Sequence, residues 1–444
     1  MAYNGLDLRT LLSDEFVQRQ QSGHDVMDLK EPILRALTDG SVAECERLFD
    51  LLEAAPLRDD WAYEEPSELE GIRRLLPAVP PLPDLRIGEG GLRDRLQAAW
   101  LGRCAGCVLG KPLEGWDRVT IRRYLEAAGA YPLDDFVPRL EPMPDGLEMH
   151  PSWPEVVRGS VRFVARDDDI DYTILGLHIL ETRGFDFGPD DVAETWMSRM
   201  PFLATYTAER AAYRNLVCGL CPPDTATHRN PYREWIGAQI RADVWGYVCP
   251  GDPRRAAGLA FRDAALSHAQ NGIYGEMWAS ALVAACFVAS DMRTALEAAL
   301  ANVPPRSRLA EAIRCVFALR ERGLGWEEAR DELEERYGHY CFVHTVNNAA
   351  VVAAALLWGE GDYARTVGLA AQGGWDTDCN GATAGSAFGA MHGTGRLPGR
   401  WVEPLNDRVR SAVVGFDDSK ILDLAERTLR LVSSDAKGSS GARA

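Results

Sequence analysis

Two short acidic segments could supply metal-ion chemistry to this chain. The first contains Asp376 and Asp378, which lie two residues apart in the glycine-rich segment 372–385. The second is Asp-Asp-Asp-Ile-Asp at residues 167–171, about two hundred residues upstream. Carboxylate oxygens are the ligands that Mg²⁺ and Ca²⁺ prefer, and two separated acidic segments can hold a pair of cations. The pattern predicts a metal-dependent enzyme.

Both segments also have a purely structural interpretation. An apolar helix follows residues 167–171, and Asp is a favoured helix N-cap. Capping needs one or two aspartates, whereas this segment has four, whose mutual repulsion a cation would offset. The segment alone therefore leaves metal binding and a solvated acidic surface equally open. For the segment around Asp376 the structural alternative is a tightly packed buried helix preceded by a capping Asp, which explains the small residues after Asp378. Two carboxylates on a buried loop would still be costly without a cation.

Other polar positions carry weaker signals. Glu114 follows a helix that ends near Gly110, and by itself it reads as an ordinary surface carboxylate. The segment 267–276 contains His268, Asn271 and Tyr274 between two alanine-rich helices, and either a ligand-lining loop or a polar helix–helix turn would fit it. Two C-x-x-C pairs lie more than a hundred residues apart, which argues against a zinc site.

Composition narrows the class of protein. The chain has 444 residues, 46% of them apolar, and a formal net charge of −18. This charge disfavours nucleic acid or an anionic membrane as a partner, and no apolar stretch is long enough to span a bilayer. The first residues lack the features of a signal peptide, and the ten cysteines fit a reduced compartment. We therefore expect a cytoplasmic protein.

Helical periodicity dominates the chain and predicts an all-α fold. Segments rich in Ala, Leu, Arg and Glu predict helices at 92–107, 171–183, 254–267, 276–289, 308–322, 326–337 and 345–357. The best strand candidate is 160–164. We expect an N-terminal helical extension of unknown role at 1–85, ending in a proline-rich linker at 77–83, then a main domain at 86–432 and a disordered tail at 433–444.

Taken together, the motifs resemble those of the ADP-ribosylglycohydrolase family, enzymes similar to dinitrogenase-reductase-activating glycohydrolase and to ADP-ribosyl-acceptor hydrolases. The resemblance covers about residues 92–396. It rests on three elements in order: a Gly-x-x-x-Gly-x-x-x-Glu element from Gly106 to Glu114, the pair Asp168-Asp169 at a helix start, and Gly373-Gly374-Trp375-Asp376-Thr377-Asp378 before a small-residue helix.

The resemblance implies a fold, a cofactor and a set of site residues. The fold would be an orthogonal helical bundle, and the cofactor two Mg²⁺ ions, with Mn²⁺ possible. Asp168, Asp169, Asp376 and Asp378 would ligate them. Glu114 would gate the site or help to activate water, so the expected catalytic residues are Glu114, Asp168 and Asp376. The expected substrate-binding residues are His268, Asn271, Tyr274, Gly373, Gly374, Trp375 and Cys379.

Three departures from the family pattern suggest a divergent subgroup. Asp167 stands where the family often has Thr, Cys379 stands where it often has Thr, and Cys107 stands where it usually has Asp. A thiol is a poor ligand for a hard cation, so we expect Asp167 to supply the missing oxygen as a fifth metal-ligating residue.

The leading functional prediction is hydrolysis of a ribosyl C1 linkage in an ADP-ribosylated protein or a related small molecule. Two alternatives stay open. The substrate could be a small nucleoside-like metabolite, or the chain could bind ADP-ribose or a nucleotide without catalysis, for which Cys107 and Cys379 are the only support. The sequence leaves the leaving group, the physiological metal and the oligomeric state undetermined.

Overall fold

A computed structural model describes residues 6–441 of the chain, and within that range nearly all regular structure is helical, which confirms the all-α prediction. The α-helices are α1 (Leu8–Gln21), α2 (Lys30–Asp39), α3 (Val42–Glu53), α4 (Leu69–Leu75), α5 (Glu89–Gly110), α6 (Arg118–Ala127), α7 (Trp153–Val156), α8 (Asp168–Arg183), α9 (Pro189–Arg199), α10 (Thr207–Val217), α11 (Asp224–Thr227), α12 (Asp243–Tyr247), α13 (Pro253–Ala264), α14 (Asn271–Cys286), α15 (Met292–Leu300), α16 (Arg308–Glu321), α17 (Trp326–Tyr337), α18 (Thr345–Trp358), α19 (Tyr363–Gln372), α20 (Thr377–His392), α21 (Gly399–Val402) and α22 (Ile421–Gly441). Short 3₁₀ helices lie at Met27–Leu29, Lys111–Leu113, Phe202–Ala204, Gln239–Arg241, Thr394–Arg396 and Glu403–Leu405.

The helical predictions are confirmed, and the strand prediction is wrong. Helices α5, α8, α13, α14, α16, α17 and α18 match the seven predicted segments to within five residues at each end. Residues 160–164 form no strand and make a single bridge from Val164 to Val409. The neighbouring strands β1 (Val409–Arg410) and β2 (Asp418–Ser419) are each two residues long and pair with each other. This sheet is too short for residues 160–164 to join it as a full strand.

Helices α5 and α20 pack antiparallel with their backbones in direct contact. Gly106 faces Gly381, and a Cβ added to Gly106 would lie 2.0 Å from the carbonyl oxygen of Gly381. Gly102 meets Gly385 in the same way. Only glycine allows so close an approach, which explains the run of small residues that the sequence shows at the start of α20.

This contact brings together three chain segments. At one end of the pair, Gly110 of α5 lies against Thr377, the first residue of α20. The 3₁₀ helix Lys111–Leu113 and Glu114 therefore follow α5 at the point where Asp376 precedes α20. Helix α8 is buried beside them, because Arg103 of α5 donates to the Asp169 carbonyl oxygen at 2.8 Å.

The N-terminal segment has a small hydrophobic core of its own. Helices α1 to α3 bury Leu12, Leu48 and Phe49 together, and Ala208 and Tyr232 of the following residues complete this cluster. Residues 76–88 connect α4 to α5 without regular structure, as the proline-rich sequence predicts. The division of the chain near residue 85 stays a prediction.

Buried ion pairs join this segment to the rest of the chain. Glu15 of α1 pairs with Arg233 at 2.7 Å, and both side chains are buried. Glu65 pairs with Arg308 at 2.7 Å, and Arg308 also contacts Glu234 at 2.6 Å. We refer to Glu15, Glu65, Arg233, Glu234 and Arg308 as the N-terminal junction. Burial of so many charges is tolerated because each has an opposite partner.

The C-terminal helix is longer than the sequence predicts. Helix α22 continues through Gly441, where we expected a disordered tail from residue 433; residues 442–444 lie outside the described residues. Asp435 holds the helix against the bundle through a two-pronged contact with Arg255. None of the helices between residues 6 and 441 is both long and apolar enough to cross a membrane.

Candidate metal and substrate site

A cavity of about 290 Å³ opens where α5, α8 and α20 meet. Its lining includes an acidic group and an apolar group of residues, which we call the acidic side and the apolar side. The acidic side is lined by Glu114, Asp167, Asp168, Asp169, Asp376 and Asp378. The apolar side is lined by Tyr206, Trp235, Ile236, Ile240, Phe342 and Val343. The structure therefore brings both predicted acidic segments and Glu114 to one cavity.

Lys111 lies in the middle of the acidic side. Its Nζ is 2.7 Å from Glu114 Oε2, 2.8 Å from Asp167 Oδ2 and 2.8 Å from Asp378 Oδ2. Burial alone would lower the pKa of Lys111, but these carboxylates hold it well above its usual value. The lysine is therefore charged at any physiological pH, and it links the segments that precede α8 and begin α20 to the end of α5.

Carboxylate oxygens without donors remain beside Lys111. Asp376 and Asp378 are 3% and 1% exposed, yet Asp376 Oδ1 and Asp378 Oδ1 receive no hydrogen bond from the described residues. Ligand oxygens of Glu114, Asp376 and Asp378 all lie within 4.8 Å of one another. Buried, unpaired carboxylates are costly, and such a group of oxygens suits a hard divalent cation. These residues fit a metal ion.

The same crowding shifts the acidities of the carboxyl groups. Burial, and then the charge of Asp378, raises the pKa of Asp376 well above its usual value. Burial also acts to raise the pKa of Asp378, but the Lys111 ammonium and hydrogen bonds hold it below its usual value. Burial and the Asp378 charge raise the pKa of Glu114 to about 7. Glu114 is therefore suited to act as a general base or acid near neutral pH.

Two cysteines lie among the acidic residues. Cys379 Sγ donates to Asp169 Oδ2 at 3.1 Å, and burial raises the pKa of this thiol well above its usual value. Cys107 Sγ lies within 4.8 Å of ligand oxygens of Asp167 and Asp169, and burial raises its thiol pKa as well. Both groups stay protonated, and a neutral thiol is a poor partner for Mg²⁺.

The segment 167–171 combines both roles that its sequence allows. Asp167 caps α8, since its side chain accepts from the Asp169 N–H at 3.1 Å. Asp168 lines the cavity, and burial followed by the Asp167 charge raises its pKa well above the usual value. Asp171 faces elsewhere and pairs with Arg166 at 2.8 Å. Capping and cavity lining therefore divide these aspartates between them.

The predicted substrate-binding loop does not reach the cavity. Asn271 Nδ2 donates to Glu65 at 2.8 Å and to Glu234 at 2.9 Å, and the Tyr274 hydroxyl donates to the Pro66 carbonyl oxygen. His268 is buried behind Glu209, with its Nε2 3.9 Å from Glu209 Oε1. The N-terminal segment covers this loop, so Asn271 and Tyr274 serve the N-terminal junction in this structure.

The residues before Asp376 support the loop from outside the cavity. Arg330 donates to the Gly373 carbonyl oxygen at 2.8 Å and stacks on Trp375 with its guanidinium carbon 3.8 Å from the ring centre. Gly374 has φ +75°, a conformation that glycine adopts freely. Among the predicted substrate-binding residues, only Cys379 lines the cavity.

Several cavity residues escaped the sequence analysis. Glu209 lines the cavity, and its carboxylate is held by Arg241 Nη1 at 2.6 Å. The aromatic residues Tyr206, Trp235 and Phe342 are separated in the chain and share no motif. For Lys111 a signal existed, because it is the only lysine between Lys30 and Lys420 in a chain that otherwise uses arginine there.

Comparison with known proteins agrees with the motifs. A sequence model of the ADP-ribosylglycohydrolase family matches residues 89–438. No curated protein sequence matches the chain. Among solved structures, an ADP-ribosylglycohydrolase-related protein complex aligns with 78% of this chain and 99% of its own, at 18% sequence identity and a TM-score of 0.45.

Proposed function

The chain belongs to the ADP-ribosylglycohydrolase family, and from this premise we propose that it is a Mg²⁺- or Mn²⁺-dependent hydrolase of ribosyl C1 linkages in an ADP-ribosylated or related substrate. The observation that carries the proposal is the pair of buried oxygens without donors, Asp376 Oδ1 and Asp378 Oδ1, beside Glu114 in the cavity.

The residues that would hold the metal come from both acidic segments. The candidates from the sequence are Asp168, Asp169, Asp376 and Asp378, with Asp167 as a further candidate. Of these, Asp376 and Asp378 have ligand oxygens within 4.8 Å of each other and of Glu114, whereas Asp167 Oδ2 contacts Lys111. A bound cation would supply orientation of ribose hydroxyls and a lowered pKa for a bound water. The remaining steps fall to the side chains of the chain itself.

Glu114 is suited to move the proton. Burial and the Asp378 charge raise its pKa, which makes Glu114 a stronger base for the proton of the attacking water. Cleavage of a glycosidic bond passes through an oxocarbenium-like state with positive charge near C1. The carboxylates on the acidic side of the cavity would stabilise that charge, and Glu209 adds a further carboxylate on the cavity wall.

The apolar side would bind the less polar part of the substrate. Trp235 and Phe342 add aromatic surface to the cavity that the carboxylates line. A cavity lined by both carboxylates and aromatic side chains suits a ribose attached to a ring. Nothing in this arrangement calls for a nucleic acid or a membrane, and the cytoplasmic location is likewise our proposal.

Substitution of the metal-binding aspartates tests the function. We expect Asp376→Asn and Asp378→Asn to lose at least about a hundredfold in turnover, comparable with removal of one catalytic interaction of about 3 kcal/mol. Asp39→Asn, at an exposed position of α2, is the matched control and should keep full activity. Products would be separated by mass spectrometry after incubation of ribosyl substrates with Mg²⁺ or with chelator. Turnover in both cavity variants would contradict the mechanism.

A small nucleoside-like substrate is the second candidate. The cavity of about 290 Å³ is at the lower end of ligand pockets, which span roughly 300–1,000 Å³. A panel of ADP-ribosyl-arginine, ADP-ribosyl-serine, O-acetyl-ADP-ribose and simple N-ribosides separates the candidates. Cleavage of the simple ribosides alone would favour the small metabolite. Tight binding of ADP-ribose without any product would favour a non-catalytic binder.

A further inference from the structure

We propose that the Lys111 ammonium takes the place of one of the two divalent cations that the family resemblance implies, so that this chain binds a single divalent cation beside Asp376 and Asp378. The inference rests on the proposed function and specifies its metal site. Its evidence is the position of one side chain and the chemistry of the donors around it.

Lys111 already occupies a cation position. Its Nζ contacts carboxylate oxygens of Glu114, Asp167 and Asp378 at 2.7–2.8 Å. These oxygens belong to three different chain segments, which is how a bridging metal ion would be held. A lysine ammonium is a compact point charge and can stand at such a position, whereas the planar guanidinium of arginine cannot converge on three oxygens in this way.

The remaining ligand groups can bind one divalent cation. Three groups of side chains within the described residues bring possible ligand atoms within 4.8 Å of one another. Two of these groups include a thiol, Cys107 or Cys379. The Cys379 thiol is engaged as a donor to Asp169, and thiols are poor ligands for hard cations. Only the group of Glu114, Asp376 and Asp378 consists of oxygens throughout.

Unpaired oxygens lie on the same side. Asp376 Oδ1 and Asp378 Oδ1 are buried and have no donor, whereas Asp378 Oδ2 accepts from Lys111 at 2.8 Å. Asp378 thus presents one oxygen to the ammonium and the other away from it. Three other carboxylate oxygens there also lack a hydrogen bond, but each faces a cationic side chain: Glu114 Oε2 and Asp167 Oδ2 face Lys111, and Asp169 Oδ1 lies 3.5 Å from Arg103. The free oxygens of Asp376 and Asp378 have no such partner among the described ion pairs and still need a cation.

Metal stoichiometry tests the inference directly. The full chain would be treated with chelator and titrated with Mn²⁺ by isothermal titration calorimetry, with free Mn²⁺ followed by electron paramagnetic resonance. We expect the wild type to bind one Mn²⁺ per chain. Lys111→Met removes the ammonium and leaves three carboxylates free, so we expect it to bind two, with spin coupling between the ions. Lys420→Met, at an exposed position, should still bind one.

The outcomes separate this inference from the function. Two ions in the wild type would overturn the inference, and metal-dependent hydrolysis could still stand. One ion in the wild type and one in folded Lys111→Met would also overturn it, because the ammonium would then exclude nothing. Binding of no Mn²⁺ by the wild type would overturn both. If Lys111→Met fails to fold, Lys111→Gln replaces it, since the amide keeps polar contacts without the charge.

Discussion

The contact between α5 and α20 allows a stability change to be worked out for Gly106→Ala. A Cβ on Gly106 would lie 2.0 Å from the Gly381 carbonyl oxygen, 2.5 Å from its carbonyl carbon and 3.1 Å from the Ala382 nitrogen. To reach even 3.0 Å from the oxygen, the two helices must separate by about 1 Å. Both contact partners are backbone, so no side-chain rotation relieves the clash.

Two effects of opposite sign set the magnitude. Alanine is about 1 kcal/mol better than glycine in a helix interior. Overpacking a close contact costs about 1–3 kcal/mol or more. Moving the two helices apart would also disturb the Gly102–Gly385 contact. Because the clash is with backbone, we take the upper part of that range and expect a net loss of about 2 kcal/mol.

Gly258 provides the matched control. It lies in the interior of α13, and a Cβ there would meet nothing within 4 Å. Gly258→Ala should therefore gain up to about 1 kcal/mol from helix propensity alone. Urea unfolding followed by circular dichroism measures both variants. The packing argument would be refuted if Gly106→Ala were as stable as the wild type while Gly258→Ala gained stability.

Two further predictions concern charges away from the cavity. Burial lowers the pKa of His344 to about 3, whereas the unfolded chain binds this proton near pH 6.5. Folding stability should therefore fall as the pH drops from 6.5 towards 3, by about 2.7 kcal/mol at pH 4.5. The His344 Nδ1 caps α18 by accepting from the Val346 N–H. His344→Asn should keep a cap and reduce the pH dependence of the unfolding free energy, measured by urea unfolding at several pH values. An unchanged pH dependence would contradict this prediction. Glu65→Gln should lose about 2 kcal/mol because the buried Arg308 loses one of its two carboxylate partners and keeps only Glu234. Glu70→Gln, in an exposed pair, should lose less than about 1 kcal/mol, and equal losses in urea unfolding would contradict the role of the junction.

The sequence was most informative where local rules decide the structure. Glycine spacing and small residues located α20, and the aspartates located the start of α8, because capping and close packing depend on neighbouring residues. The shared acidic site was predicted from the two acidic segments together and from the family resemblance, which assigns both segments to one metal site. The start of α14 differs from the prediction, because the helix begins at Asn271 and not at residue 276, so Asn271 and Tyr274 lie in its first turn and not on a loop.

The features that the sequence did not predict depend on contacts between segments that are distant in the chain. The polar loop around Asn271 carries residues that suit a ligand, but Glu65, more than two hundred positions away in the chain, occupies that loop. Lys111 reads locally as a polar residue between a glycine and a proline, and only the fold shows that three carboxylates converge on it. The aromatic wall likewise combines residues from 206 to 342.

The N-terminal junction should make two regions of the chain evolve together: the residues before the family match and the residues within it. The match begins at residue 89, yet Glu15 and Glu65 neutralise arginines in the matched region. A descendant that lost the first 75 residues would retain Arg233 without Glu15 and Arg308 with Glu234 as its remaining partner, so we expect Arg233 above all to change with such a loss. Chimeras that exchange N-terminal segments between relatives should therefore succeed only when the partner arginines are transferred with them.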